Sequence, residues 1–192
     1  MNDTRARVYP PREDTYLLAP FAQGTRGLRV LDVGTGNGLL ALTAARSGAA
    51  VVATDLNRAA LGALARIARR DRLPIEAVRT DLVRGLGRFD RILSNPPYLP
   101  TPPVASDPDP MDRLALDGGP DGCRVTGRLF SDLADHLAPG ASAFVIVSSL
   151  QDPGVLEGIL LDWRENGGEV DIVARRDLEG ERLSVLRAYR RT

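Results

Sequence analysis

Residues 28–46, LRVLDVGTGNGLLALTAAR, join a short apolar run to a glycine-rich segment and a second run of small apolar residues. The pattern predicts a buried parallel strand over 28–33, a glycine loop at 34–38 and a helix from Leu39 to about Arg46. Strand, glycine loop and helix in this order form the first half of a mononucleotide-binding unit. Because glycine has no Cβ, such a loop lets the backbone approach a ligand closely.

The alternation of strands and helices continues along the chain. Four further strands are predicted from apolar runs at 50–54, 74–79, 89–93 and 143–147, and three further helices at 58–70, 123–137 and 153–165. Two last runs, 169–174 and 182–189, flank Glu179-Gly180 and predict a hairpin. We therefore expect an α/β fold: a Rossmann-like, seven-stranded, doubly wound sheet with an antiparallel C-terminal hairpin.

The chain is expected to form one domain preceded by a short arm. Residues 1–26 are assigned to an N-terminal arm, and residues 27–192 to a single domain, because 192 residues suffice for one sizeable core. In the arm, Asp14 or Thr15 is expected to cap a short helix that continues through Phe21.

Composition excludes several kinds of protein. Lys+Arg and Asp+Glu are both 25, so no global positive field is present to attract nucleic acid. Cys123 is the one cysteine, which excludes an internal disulfide and a cysteine-based metal site. The N-terminus has no signal-peptide core, and the apolar runs are shorter than the roughly 18 residues of a membrane span. We therefore expect a cytoplasmic protein without a metal site.

Two aspartates follow predicted strands. Asp55 ends the second strand, 21 residues after Gly34, where its carboxylate is placed to accept from both hydroxyls of a ribose. The alternative is a helix N-cap, formed by Asp55 or Asn57. Asp81 ends the third strand and is placed either to accept from an adenine amino group or to cap backbone N–H groups of its own loop.

The segment Ser94-Asn95-Pro96-Pro97-Tyr98 follows the fourth predicted strand. An Asn-Pro pair often marks only a turn, and that alternative stays open. Two consecutive prolines nevertheless make a rigid corner, rich in acceptors from Asn95 and Pro96, beside the aromatic face of Tyr98. Such a corner suits a planar group that carries an –NH2. The acidic, proline-rich loop 99–122 follows directly, so we expect it on the substrate side of the site.

The glycine loop alone leaves three classes of protein in competition: a nicotinamide or flavin dehydrogenase, an S-adenosylmethionine (SAM) methyltransferase and a non-catalytic binding module. Residues 34–38, GTGNG, carry glycine at every second position and lack the G-x-G-x-x-G spacing of dinucleotide loops. The predicted antiparallel hairpin also disfavours a standard dehydrogenase.

Four segments in chain order resemble those of one family. Residues 31–38, LDVGTGNG, resemble the first motif of class I SAM-dependent methyltransferases, and residues 95–98, NPPY, resemble the motif of enzymes that methylate exocyclic or amide nitrogens. Residues 9–15, YPPREDT, and 115–122, ALDGGPDG, are similar to those of HemK-like protein N5-glutamine methyltransferases, in the short branch without the N-terminal helical domain. The resemblance spans about residues 8–150.

The resemblance implies a role for each matching residue. The implied cofactor-binding residues are Glu13, Thr15, Asp32, Gly34, Gly36, Asp55, Asp81, Leu82 and Asn95, and the implied catalytic residues are Asn95, Pro96 and Tyr98. Among them, Asp32 and the glycines would border the methionine part of SAM, and Glu13 and Thr15 would bring the arm to the pocket. Members of the family methylate the Gly-Gly-Gln glutamine of peptide-chain release factors. Short-branch members from eukaryotes and archaea often require a small zinc-binding partner.

The expected reaction is in-line methyl transfer to a nitrogen, for which the protein mainly supplies position and electrostatics. Acceptors at the Asn95 corner would orient an amide and offset the positive charge that develops on its nitrogen. One alternative is an RNA or DNA amino-methyltransferase acting on adenine N6 or guanine N2, which the zero net charge and the acidic loop disfavour. Another is a non-catalytic SAM-binding subunit, which the intact NPPY segment disfavours.

Overall fold

The computed structural model describes residues 10–101 and 115–191. Its strands are β1 Arg29–Val33, β2 Ala50–Asp55, β3 Ile75–Arg79, β4 Phe89–Ser94, β5 Leu137–Ser148, β6 Gly168–Leu178 and β7 Glu181–Arg190. Its helices are α1 Glu13–Leu18, α2 Leu39–Arg46, α3 Arg58–Asp71, α4 Arg124–His136 and α5 Pro153–Glu165, with a 3₁₀ turn, Ala19–Ala22, after α1. Tyr9 of the N-terminal motif and residues 102–114 of the acidic loop lie outside the described residues.

The seven strands of the described residues form one sheet in the order β3-β2-β1-β4-β5-β7-β6. Neighbours among β1 to β5 are parallel, whereas β7 runs antiparallel to both β5 and β6. The predicted seven-stranded, doubly wound α/β sheet with an antiparallel C-terminal hairpin is confirmed. The strand order reverses between β1 and β4, and in sheets of this kind a ligand crevice opens at the carboxyl ends of the strands at that point.

Helices cover both faces of the sheet. Val30 packs in one apolar cluster with Leu18 of the arm and Ala41 of α2, whereas its neighbour Leu31 packs in a second cluster with Trp163 of α5. Successive side chains of a strand point to opposite faces, so each central strand contributes to both clusters. This explains why the central strands are nearly continuous apolar runs, as the sequence requires of a sheet buried on both sides.

The arm packs on the sheet but begins its helix differently from the prediction. Neither Asp14 nor Thr15 caps α1: the N-cap position is Arg12, which makes no side-chain cap, and both residues lie in the first turn. An acidic side chain there still suits the positive end of the helix dipole. The arm is held instead by packing, because Leu18 is fully buried and the Phe21 ring stacks on Phe144 of β5 at a centroid distance of 4.7 Å.

Strand β5 is longer than predicted. It begins at Leu137 rather than Ala143, because Phe89 pairs with Leu137 and, after a register shift, Arg91 pairs with Ser142. Pro139 and Gly140, which the sequence suggested as a helix stop, lie within this irregular stretch. The helix itself ends at His136. None of the helices in the described part of the chain has the length and apolarity needed to cross a membrane.

Candidate active site

A cavity of about 750 Å³ lies over the carboxyl ends of β1, β2, β3 and β4 and is closed on one side by the arm. Ten of the eleven residues singled out from the sequence line it: Glu13, Thr15, Gly34, Gly36, Asp55, Asp81, Leu82, Asn95, Pro96 and Tyr98. The remaining residue, Asp32, does not line the cavity and lies behind the glycine loop.

The glycine loop bends sharply into the cavity wall. Gly36 and Gly38 have φ angles of 51° and 81°, in the left-handed region that side chains rarely adopt. A Cβ at Gly38 would also lie 2.9 Å from Leu64 Cδ1 of α3. The Thr35 N–H donates to the Thr54 carbonyl at 2.8 Å, which ties the loop to the end of β2. The loop therefore presents backbone, with no intervening side chain at Gly36, to whatever occupies the cavity.

Asp32 holds this loop from behind. Its Oδ2 accepts from Thr35 Oγ1 at 2.6 Å and from the Ala41 N–H at 3.0 Å, so it joins the loop to α2. Its Oδ1 is buried with no hydrogen-bond partner among the described residues. Burial raises the pKa of the Asp32 carboxyl to about 6, because the charged form loses its hydration, and the Thr35 and Ala41 hydrogen bonds only partly offset this.

Asp55 bridges the glycine loop and the chain after β2. Its Oδ2 accepts from the Gly36 N–H at 2.8 Å, and its Oδ1 accepts from the Asn57 N–H at 2.7 Å. The capping role that the sequence left open belongs to Asn57, whose Oδ1 accepts from the Ala59 N–H at 2.9 Å at the start of α3. Asp55 is therefore not the cap of α3 and borders the cavity directly beside the glycine loop.

The Asn-Pro-Pro-Tyr corner lies where β4 ends, opposite α1. Asn95 Nδ2 donates to Thr15 Oγ1 at 3.4 Å, and the Tyr98 hydroxyl donates to Asp14 Oδ2 at 3.2 Å. Asn95 Oδ1 is buried and accepts no hydrogen bond from the described part of the chain. The corner is thus more than a turn: α1 fixes two of its side chains, and the side-chain oxygen of Asn95, a residue that lines the cavity, is left without a hydrogen bond from any residue that the structure describes.

The segment Gly118–Gly122 supports the corner from behind. A Cβ on Gly122 would collide with the Tyr98 carbonyl oxygen, so only glycine lets the two backbones approach. The buried Gln151 side chain anchors this contact, since its Nε2 donates to the Gly122 carbonyl at 2.9 Å and to Thr126 Oγ1 at 3.2 Å. The role of Gln151 was not predicted from the sequence, because these two partners of its Nε2 lie 25 or more positions away.

Two side chains near the end of β3 complete the wall. Asp81 Oδ2 accepts from Arg128 Nη2 of α4 at 2.6 Å. Leu82 has a φ of 53°, which is uncommon for a residue other than glycine. The alternative of Asp81 capping its own loop through its side chain is wrong, since that carboxylate pairs with Arg128. Arg128 was not predicted as a site residue: its spacing of four from Arg124 marks a helix face, but no local pattern links it to Asp81.

Comparison with known proteins gives concordant matches. A family model described as the methyltransferase small domain matches residues 13–104. A Methanocaldococcus jannaschii protein assigned as a protein N5-glutamine methyltransferase is 34% identical over 188 residues, which cover 95% of this chain and 92% of that protein. The release factor glutamine methyltransferase of Deinococcus radiodurans is 38% identical over 189 residues, and the match covers 91% of this chain. It covers 64% of the bacterial protein, less than two thirds of that relative's length.

A solved structure agrees with these sequences. The structure is the E. cuniculi Mtq2–Trm112 complex, which is responsible for methylation of the translation termination factor eRF1, and its matching chain aligns with a TM-score of 0.73. Identity is 27%, and the alignment covers 95% of this chain and 98% of that one. The agreement therefore extends over nearly the full length of both chains.

Proposed function

The chain belongs to the protein N5-glutamine methyltransferase family, as its motifs predict, and we propose that it methylates the side-chain amide of a glutamine in a peptide-chain release factor, with SAM as methyl donor. The observation that carries the proposal is the buried Asn95 Oδ1, an acceptor at the cavity that no described residue uses. An amide –NH2 is a donor of the matching kind.

The residues around the cavity fit SAM. The carboxylate of Asp55 offers acceptors for a ribose diol. The same carboxylate accepts from the N–H of Gly36, so the glycine loop lies directly beside it. The cavity volume of about 750 Å³ is within the range of pockets for small molecules. We assign the methionine end of SAM to the loop held by Asp32, and the adenine to the corner of Asp81 and Leu82.

In the proposed reaction, bound SAM supplies an electrophilic methyl group on a sulfonium leaving group. The chain positions and polarises the acceptor. Asn95 Oδ1 and the Pro96 carbonyl accept from the two N–H bonds of the glutamine amide, which orients the nitrogen and offsets its developing positive charge. Thr15 binds the other end of the Asn95 amide, so its oxygen is held toward the substrate. The Tyr98 ring, anchored through its hydroxyl on Asp14, packs beside the planar amide.

The arm and the rest of the chain act together in this proposal. Residues 27–192 form a single methyltransferase domain, and the arm, residues 1–26, contributes Glu13 and Thr15 to its pocket. This is supported by the cavity, which α1 borders. The structural relative Mtq2 is in complex with Trm112, and this supports a small activating partner for the present chain as well.

The direct test uses SAM labelled on its methyl group. We expect label to enter a recombinant release factor, at a glutamine that mass spectrometry identifies, and not total RNA in a parallel reaction. A release factor with that glutamine replaced by alanine is the matched control. Label in RNA with none in protein would overturn the proposal in favour of a nucleic-acid amino-methyltransferase, and tight SAM binding with no acceptor would favour a non-catalytic subunit.

A further inference from the structure

Asp81 and Arg128 form an ion pair at the wall of the cavity. Asp81 follows β3, Arg128 lies in the second turn of α4, and Arg128 Nη2 is 2.6 Å from Asp81 Oδ2. Both side chains border the cavity and keep about half of their surface exposed, 53% for the arginine and 41% for the aspartate. Exposed pairs of this kind contribute little to stability, so replacing either partner should leave the fold intact and allow its effect on the site to be measured.

We propose that Arg128 is a positioning residue that fixes the Asp81 carboxylate so that the site selects a purine with an exocyclic amino group over one with an oxygen in the same place. The inference deepens the proposed function and rests on it, because it concerns the base of SAM. The new element is Arg128 of α4, a determinant of base selectivity that contacts Asp81 and does not contact the base itself.

The hydrogen-bond geometry supports this selection. Arg128 engages Oδ2, and Oδ1 accepts no hydrogen bond from the described part of the chain. A carboxylate held by one oxygen keeps the other in a fixed place, where it accepts from an amino group and repels a carbonyl oxygen. Leu82, the next residue, has a left-handed backbone that sets the direction of the chain just after Asp81. Its side chain is anchored by packing against the second apolar cluster.

Selection is measured as a ratio of two affinities. Calorimetry gives the Kd of S-adenosylhomocysteine and of S-inosylhomocysteine, which carries oxygen in place of the amino group. The wild-type protein is expected to prefer the adenosyl compound by on the order of 30-fold, as for one hydrogen bond to a charged group. Arg128→Ala should reduce the preference to about 3-fold, chiefly by weakening the binding of the adenosyl compound. Arg128→Lys should restore part of the preference.

A matched control and a double-mutant cycle separate positioning from a general structural effect. Arg182→Ala removes another exposed arginine whose Nε is also 2.6 Å from an aspartate, Asp177, and should leave the preference unchanged. If Arg128 acts through Asp81, then Arg128→Ala should have no further effect in an Asp81→Ala background.

The outcomes distinguish this inference from the proposed function. Three results would overturn the inference and leave the proposed function intact. They are an equal loss of affinity for both compounds in Arg128→Ala, additive effects in the double-mutant cycle, and a wild-type protein without preference. A wild-type protein that binds neither compound would overturn both. Loss of preference with non-additive effects would support the positioning role.

Discussion

At the scale of single residues, Asn95 separates binding of the cofactor from chemistry on the acceptor. Replacing it with alanine removes the buried Oδ1 but leaves Asp55 and the glycine loop in place. We expect Asn95→Ala to keep its affinity for SAM within a few-fold and to lower turnover on the protein substrate by on the order of 100-fold. Calorimetry and single-turnover kinetics measure the two quantities separately. Wild-type turnover in this variant would contradict the role of Asn95 as acceptor.

Asp55 and Asn57 allow a paired test, because they lie two positions apart and have different roles: Asp55 borders the cavity beside the glycine loop, and Asn57 caps α3. Asp55→Ala should weaken SAM binding by about 10- to 100-fold, the cost of hydrogen bonds to a charged group, with the fold retained. Asn57→Ala should lower the free energy of unfolding by about 1 kcal/mol through loss of the α3 cap, with little change in affinity. Denaturant titration and calorimetry on both variants check this, and the reversed pattern would contradict the ribose role.

Asp32 predicts a pH dependence of stability. Its pKa is raised from 3.8 to about 6 in the folded protein, so the folded state holds the proton more tightly than the unfolded state. The stability from this group is complete below about pH 4 and is lost as the pH rises through 6, by roughly 3 kcal/mol. Asp32→Asn abolishes the titration. The difference in unfolding free energy, wild type minus variant, should therefore fall between pH 4 and pH 6.5, and a flat or rising difference would refute the raised pKa.

At the scale of elements, the segment Gly118–Gly122 determines where the corner after β4 sits. Gly122 and Gly140 have the same φ of 74°, but a Cβ meets the Tyr98 carbonyl at Gly122 and nothing within 4 Å at Gly140. Gly140→Ala should cost about 1 kcal/mol of stability, from backbone strain alone, with full activity. Gly122→Ala should cost about 2 kcal/mol more and lower turnover, because the corner must shift. Equal stability and equal turnover in the two variants would show that the contact with Tyr98 does not matter.

The elements themselves were largely predictable, because their signals are local. The period of the apolar residues and the glycines located β1, α2, β2 and α3 to within one residue. The acidic residues Asp55 and Asp81 were likewise predictable, because each stands at or just after the end of a predicted strand. The start of β5 was missed, since only the pairing with β4 makes residues 137–142 part of a strand.

The contacts that organise the site could not be predicted from the sequence, because they join residues far apart along the chain. Thr15 meets Asn95 across 80 positions, and Asp81 meets Arg128 across 47. No spacing rule connects residues at such separations, since it is the strand order and the helix packing that bring them together. The resemblance of motifs placed Thr15 at the pocket, whereas its bond to the Asn95 amide, which orients the acceptor, came only from the structure.

At the scale of the whole molecule, one cavity joins the arm to four parallel strands, so a ligand there should stabilise all of them together. With S-adenosylhomocysteine at 100 times its Kd, the unfolding free energy should rise by about 2.7 kcal/mol, and Tm by roughly 5–10 °C for a chain of this size. Differential scanning calorimetry checks the shift, and Asp55→Ala at the same ligand concentration should show a smaller one. Hydrogen exchange should also show new protection in α1. A shift in Tm without protection of α1 would mean that the arm lies outside the cofactor pocket.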